Sequence, residues 1–290
     1  MKNKMAVLLL LIPFLAMAQS VEERLTKLEN DLNELKKQED ELNEQIEDVS
    51  LEKIRADIQK IGMPTVLKDE EVVTHSAMSF VYSEKHEQAK WVAHIISPRI
   101  IKGSFGRSND FRTDPKVTTG SAVEEDYFLK TLQPDSSYVY DGFGYDRGHL
   151  APSADFRWSQ KALSESYYYS NMAPQVADLN RGKWAELEGV MRGYMYRNEG
   201  TQLYVVTGPV LKDDLPIIER SVNKVSIPEQ FFKVVLDLDH QRAIGFLMEN
   251  KKLHYPVEKY AVSIDEIEKL TGIDFFPNLA DEIENVVEKQ

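Results

Sequence analysis

A chain of 290 residues that is 42% hydrophobic, with 14 Gly and 12 Pro, can bury one full-sized core and carry an appendage, and shows no low-complexity bias. Its formal net charge of −13 excludes a protein that coats nucleic acid through surface-wide Lys and Arg, but leaves room for a locally basic cleft. The absence of cysteine excludes a disulfide framework and a lipid anchor on cysteine.

The first 18 residues, "MKNKMAVLLLLIPFLAMA", place two lysines before an apolar core and an Ala-Met-Ala end. This is the layout of a signal peptide cleaved after Ala18, so the expected location is secreted or periplasmic. The apolar run is short for a bilayer span, which sets the uncleaved anchor as the alternative. Residues 19–62 follow as a helical segment. From Val21 to Ile61 there is no Gly or Pro. Leu25, Leu28, Leu32, Leu35, Leu42, Ile46 and Val49 recur in alternate steps of three and four, with Glu39 as the only break. That seam predicts a coiled-coil helix. With 13 acidic and 7 basic residues, the segment carries nearly half of the net charge. Either it pairs with a partner, as in a homodimer, or it is a solvated helix folded back on its own domain.

"GMPTV", Gly62 to Val66, reads as a linker, with Gly ending the helix and Pro preventing its return. A domain over residues 63–290 is expected beyond it. "SFVYS" and "KWVAHIIS" suggest a hairpin, "QLYVVTGPV" a buried strand, and "QFFKVVLDL" with "RAIGFLMEN" an antiparallel pair. One helix is predicted at "DLNRGKWAELEGVMRGYMYRN" and a short one at "SIDEIEKLTG", capped by Ser263 and stopped by Gly272. Strands on both sides of a central helix imply an α+β domain with a mostly antiparallel sheet.

The chemistry concentrates in "YDRGHLAPSADF", Tyr145 to Phe156. His149 can take a proton from water near neutral pH, and the planar fork of Arg147 suits phosphate oxygens. Gly148 is expected to open the approach for a substrate backbone, and Asp146 to support the loop. Alone, the histidine could equally be a satisfied core residue. The following helix spaces Asn180, Trp184, Glu188 and Arg192 four residues apart, along one drifting face. An Asn carbonyl is a neutral hard ligand for a Mg²⁺ that keeps most of its waters, and Glu188 can hold such waters. The competing possibility is an ordinary amphipathic helix with an exposed Glu188–Arg192 ion pair. From Arg147 to Arg197 seven Lys/Arg face five Asp/Glu, a mildly positive stretch in an acidic protein. Arg107 and Arg112 add to it upstream.

"YDRGHLAPSADF", "YYYSNMAPQ", "LNRGKWAELE" and "VVTGPV", in that order, resemble the DNA/RNA non-specific endonucleases, the ββα-metal (His-Me finger) group that includes mitochondrial endonuclease G. The resemblance spans about Val73 to Leu279 and leaves out the heptad segment. It implies a ββα-metal core with His149 on a strand and Asn180 at the start of the crossing helix. It implies that His149 is the general base and Asn180 the one direct protein ligand of Mg²⁺, Mn²⁺ or another divalent cation. Glu188 would orient water on that ion, and Arg147, Arg192 and an upstream arginine would bind the phosphate. Arg107 is preferred over Arg112 for the last role, and Asn171 would support the site. The implied activity is hydrolysis of phosphodiester bonds in DNA and RNA, blind to sugar because phosphate is what the site recognises. The other readings are a coiled-coil interaction module with a non-catalytic nuclease-like binding domain, and a phosphodiesterase for another anionic ester.

Overall fold

The computed structural model describes residues 20–65, 67–237 and 239–279. The expected signal segment, residues 1–18, lies outside the described residues. Two compact units meet in sequence between Asp48 and Val49. Among the described residues no helix is long and apolar enough to cross a membrane.

The first unit holds most of helix α1 (Val21–Ile61). Its start is fixed by a reciprocal cap. The Ser20 hydroxyl accepts the Glu23 backbone N–H at 3.1 Å, while Glu23 Oε2 accepts that of Ser20 at 2.9 Å. Every seam residue from Leu25 to Val49 is exposed in the single chain.

The second unit begins inside α1. Leu51, Ile54, Ile58 and Ile61 are buried in its core. The compact domain therefore opens at Val49, ahead of the residue-63 boundary that the Gly-Pro pair suggests. Gly62 does end the helix, with φ +101°, but the apolar register shift after Val49 is what turns the last turns inward.

In chain order come β1 (Val72–Thr74), β2 (Met78–Ser83), β3 (Gln88–Ile96), β4 (Phe128–Leu132), β5 (Tyr138–Gly142), β6 (Asp146–His149), α2 (Gln160–Glu165) and β7 (Met172–Gln175). Then follow α3 (Ala185–Arg197), β8 (Leu203–Pro209), β9 (Gln230–Asp237), β10 (Arg242–Glu249), β11 (Ala261–Val262) and α4 (Ile264–Thr271). One antiparallel seven-stranded sheet takes the order β1-β2-β3-β8-β9-β10-β11, and β4-β5 and β6-β7 form two separate antiparallel pairs. The architecture is α+β, as the alternation of apolar runs and one central helix predicts. The β4-β5 hairpin escapes that reading because its strands are almost wholly exposed and carry no buried face to set a pattern.

The sheet is covered on both faces, which is why its inner strands are apolar throughout. On β9, Phe231 meets Trp184 at 5.8 Å on the side of α3, while the next residue, Phe232, meets Phe275 at 5.4 Å on the opposite side. Helix α4 is capped as expected: the Ser263 hydroxyl accepts the Glu266 N–H at 3.2 Å, and Gly272 takes φ +73°. The helix predicted from Asp178 to Asn198 is split. Gly182 leaves helical geometry (φ −104°, ψ −114°), so Leu179–Trp184 is an irregular turn and regular α3 starts at Ala185. Asn180 therefore reaches the site from a distorted turn, not along a regular i, i+4 row.

Candidate active site

Strand β6 carries the first half of the site. Its pairing sets Arg147 opposite Pro174 and His149 opposite Met172. Arg147 and His149, two residues apart, share one side of the strand, and both line a cavity of about 940 Å³. Gly148 faces away and does not open the cavity. A Cβ there would meet the Gln175 amide carbon at 2.4 Å, so its missing side chain admits Gln175 and not the substrate. The strand end is clamped by buried Asn171, whose Oδ1 accepts the Ala151 N–H and whose Nδ2 donates to the Ala151 carbonyl, each at 2.9 Å.

His149 sits edge-on to Tyr167, with ring centroids 5.1 Å apart, and 5.7 Å from Phe111. Its Nε2 is enclosed without a hydrogen-bond partner, which leaves Nδ1 as the nitrogen able to serve the cavity. Burial, then the charges of Arg107 and Arg147, push its pKa down to about 3. The ring is neutral at pH 7 and can accept a proton. Arg147 lies over Phe111, its guanidinium carbon 3.7 Å from the ring centroid, with Phe128 at 5.1 Å and a 3.3 Å bond to the Tyr169 hydroxyl. Stacking of this kind holds the guanidinium plane while leaving donors for an anion.

Asp146, for which the sequence suggested only loop support, has a defined task. It accepts Asn180 Nδ2 at 2.9 Å, Arg181 Nε at 2.8 Å and a second Arg181 nitrogen at 2.6 Å. Burial pushes its carboxyl up, but the bonds from Arg181 and Asn180 outweigh this and hold it below the usual range. An ionised carboxylate can only accept, so the amide nitrogen of Asn180 must face it. The Asn180 carbonyl oxygen is thereby turned away from Asp146, on a residue that lines the cavity.

Helix α3 supplies Glu188 and Arg192, four residues apart on the cavity wall, while Leu187, Met191 and Met195 enter the core. The two do not form the exposed ion pair considered from sequence. Arg192 instead donates to Asp155 Oδ1 at 3.0 Å. Arg107 also lines the cavity. Arg112 does not: its donors go to Asp110 and Ser164, and it stacks on Tyr168 at 4.1 Å.

Beneath this wall lies a polar layer that sequence reasoning missed. Buried Asp155 accepts His94 Nε2 at 3.0 Å as well as Arg192. Lys233, only 1% exposed in the middle of β9, donates to the Thr207 hydroxyl at 2.6 Å and sits 4.9 Å from the Trp184 ring. Burial lowers the Lys233 ammonium and raises the Glu188 carboxyl, and the two oppose each other's shifts by attraction. Asp155 could have been noticed as the acid closing the Tyr145–Phe156 block, and Lys233 as a charge inside the apolar run "QFFKVVLDL".

Five arginines (107, 147, 157, 181 and 192) and two carboxylates line the cavity, so an acidic protein presents a cationic pocket. Among the described residues no cluster of three or more His, Asp or Glu is arranged to hold a metal. A cation here would be held through the Asn180 carbonyl, with Glu188 near it, and complete its shell from water and phosphate. That set of neutral and anionic oxygens suits a hard divalent ion that keeps its waters.

A family model for the DNA/RNA non-specific endonucleases matches residues 54–282. Bovine (Bos taurus) mitochondrial endonuclease G is 31% identical over 243 residues, covering 77% of this chain and 74% of its own. A nuclease of the cyanobacterium Nostoc sp. is 30% identical over 240 residues, covering 78% and 81%. Among solved structures, that of the EndoG/EndoGI complex, described as showing the mechanism of EndoG inhibition, matches with a TM-score of 0.63 at 27% identity, over 77% of this chain and 91% of that one. The match begins within the buried end of α1 and encloses the whole cavity, and on these grounds the chain belongs to the DNA/RNA non-specific endonuclease family.

Proposed function

We propose that this endonuclease is exported, uses a divalent cation, and cleaves DNA and RNA alike at the cavity built around His149. The observation that carries the reading is the convergence of a neutral histidine, an amide oxygen oriented by Asp146, and three arginines in one pocket.

Arg107, Arg147 and Arg192 bind the scissile phosphate and offset the charge that grows on its oxygens as water attacks. His149 takes the proton of that water. Its affinity for a proton is low in the free enzyme because it is buried and, in addition, two cations face it. An anionic phosphate seated between Arg107 and Arg147 offsets both charges, so substrate binding raises the pKa of the base when it is needed. Mg²⁺ or a similar ion, when bound at Asn180, supplies charge stabilisation for the phosphate and the departing oxygen. Glu188 orients water around that position. Contacts to phosphate carry no base or sugar information, which accounts for an indifferent specificity. The leader-like first 18 residues support export. We also read α1 as the element through which two copies pair.

The test is digestion of plasmid DNA and of single-stranded RNA. Cleavage of both with Mg²⁺, abolished by EDTA and by His149→Ala, is expected. Full activity of the variant, or with chelator, overturns the assignment of the site.

A further inference from the structure

The geometry of α1 points to a parallel, in-register pair of helices as its assembled form. The occupant of the exposed seam is the same helix of a second copy. This rests on the reading of α1 as a pairing element and is independent of the catalytic site.

The seam places Leu25, Leu32, Glu39 and Ile46 at a positions and Leu28, Leu35, Leu42 and Val49 at d positions. Leu25, Leu28, Leu32, Leu35 and Leu42 are each at least half exposed in the single chain. Val21, 80% exposed, extends the seam by one more d position. A row of leucines left in water along one helix face is a strong drive for burial against another helix.

Polarity is decided by the flanking charges. The g positions begin with Arg24 and Asp31, and the e positions with Glu29 and Lys36. In a parallel pair each g residue meets the e residue five places on in its neighbour. Arg24 then faces Glu29 of the second copy, and Asp31 faces Lys36. Both contacts are attractive, and the symmetry doubles them. Residues five apart on one helix lie about 140° apart around its axis, so these charges cannot pair within the chain. Arg24 and Glu29 have no oppositely charged residue three or four places away on their own helix. An antiparallel pair overlaying the whole seam would set Lys36 against Lys36 of the second copy and form neither attractive contact. The same charges fix the register: a shift by one heptad would set Arg24 against Lys36 and Asp31 against Glu29 of the second copy, both repulsive, whereas in register Glu39 meets its own counterpart. The same carboxylate pair weakens the assembly, so the dimer is reversible.

The test is sedimentation of the full chain over a dilution series, together with a single Val21→Cys substitution in this cysteine-free protein. A dimer mass that falls to monomer on dilution, and rapid disulfide cross-linking of the Cys variant, are expected. The double reversal Arg24→Glu/Lys36→Glu weakens association about a hundredfold. Mixing it with Glu29→Lys/Asp31→Lys restores pairing. Glu39→Leu tightens it by about tenfold or more. A monomer at every concentration overturns pairing through α1 altogether. A dimer that neither cross-links nor responds to the charge reversals, yet tightens with Glu39→Leu, overturns only its parallel register; one indifferent to Glu39→Leu as well overturns pairing through α1. Nuclease activity is measured on the same samples: cleavage by a strict monomer overturns this inference alone, and a well-behaved dimer without cleavage overturns only the proposed function.

Discussion

His149 and Asp155 stand six residues apart in one block and live under opposite rules. The histidine reaches the cavity and has no protein hydrogen-bond partner at its enclosed nitrogen. The aspartate is 1% exposed and binds both His94 and Arg192. In the proposed function the first layer is the one that meets the substrate, through the cavity that His149 lines. The layer below is tied together by hydrogen bonds, Asp155 to His94 and Arg192 and Lys233 to Thr207. Each layer has a different cost of failure, and that difference can be measured.

The largest effect is expected at the reacting layer. His149→Ala should lower the cleavage rate by about 10²–10⁴-fold, since it removes the proposed proton acceptor. Melting temperature should stay level or rise, because a buried group without a partner is lost. A large loss of stability would show that His149 belongs to the packed layer after all. Asp155→Ala should do the reverse. It strands the buried Arg192 contact and His94, at a cost of about 3–5 kcal/mol in urea unfolding. A stable but slow variant would break the distinction.

Asp146→Ala tests a residue between the two layers. It frees the Asn180 amide to rotate, so the rate should fall about 10–100-fold with a raised requirement for divalent ion. The partial rescue expected from Asp146→Asn separates orientation from charge. An unchanged ion requirement would count against its positioning role.

The smallest effect concerns pH. The folded pKa of His149 lies near 3, below its ordinary value of 6.5, and burial lowers His94 as well. The unfolded chain takes up these protons first. The stability they give is complete above about pH 6.5 and is lost as pH falls toward 3. For His149 the loss at pH 5 should be about 2 kcal/mol. His149→Gln should flatten the profile of urea midpoint against pH between 7 and 5. An unaltered slope would mean that other groups carry it.

Much of this molecule was legible in advance where local pattern and burial agree. The α1 helix, the β8–β10 runs and the Ser263–Gly272 helix have clear periods or caps, and they form near where they are predicted. The residues lining the cavity were legible as well, because Arg147, His149, Asn180, Glu188 and Arg192 sit in ordered blocks. Gly148 was misread: its glycine serves strand packing, a contact with Gln175 that lies 27 positions away. The domain start was set at a Gly-Pro pair, whereas burial of Leu51 and Ile54 places it within the helix.

The sequence by itself determined the elements, the residue types of a phosphate-cleaving site and the charge pattern of α1, because each depends on spacings along one segment. Only the tertiary structure decided that Asp146 orients Asn180, that Arg107 and not Arg112 reaches the cavity, and that Asp155 and Lys233 lie beneath it. Those assignments depend on hydrogen bonds and electrostatic fields between distant segments. A buried carboxylate's role is set by the donors that surround it, and those donors come together only when the sheet, the β6-β7 pair and α3 close around one point.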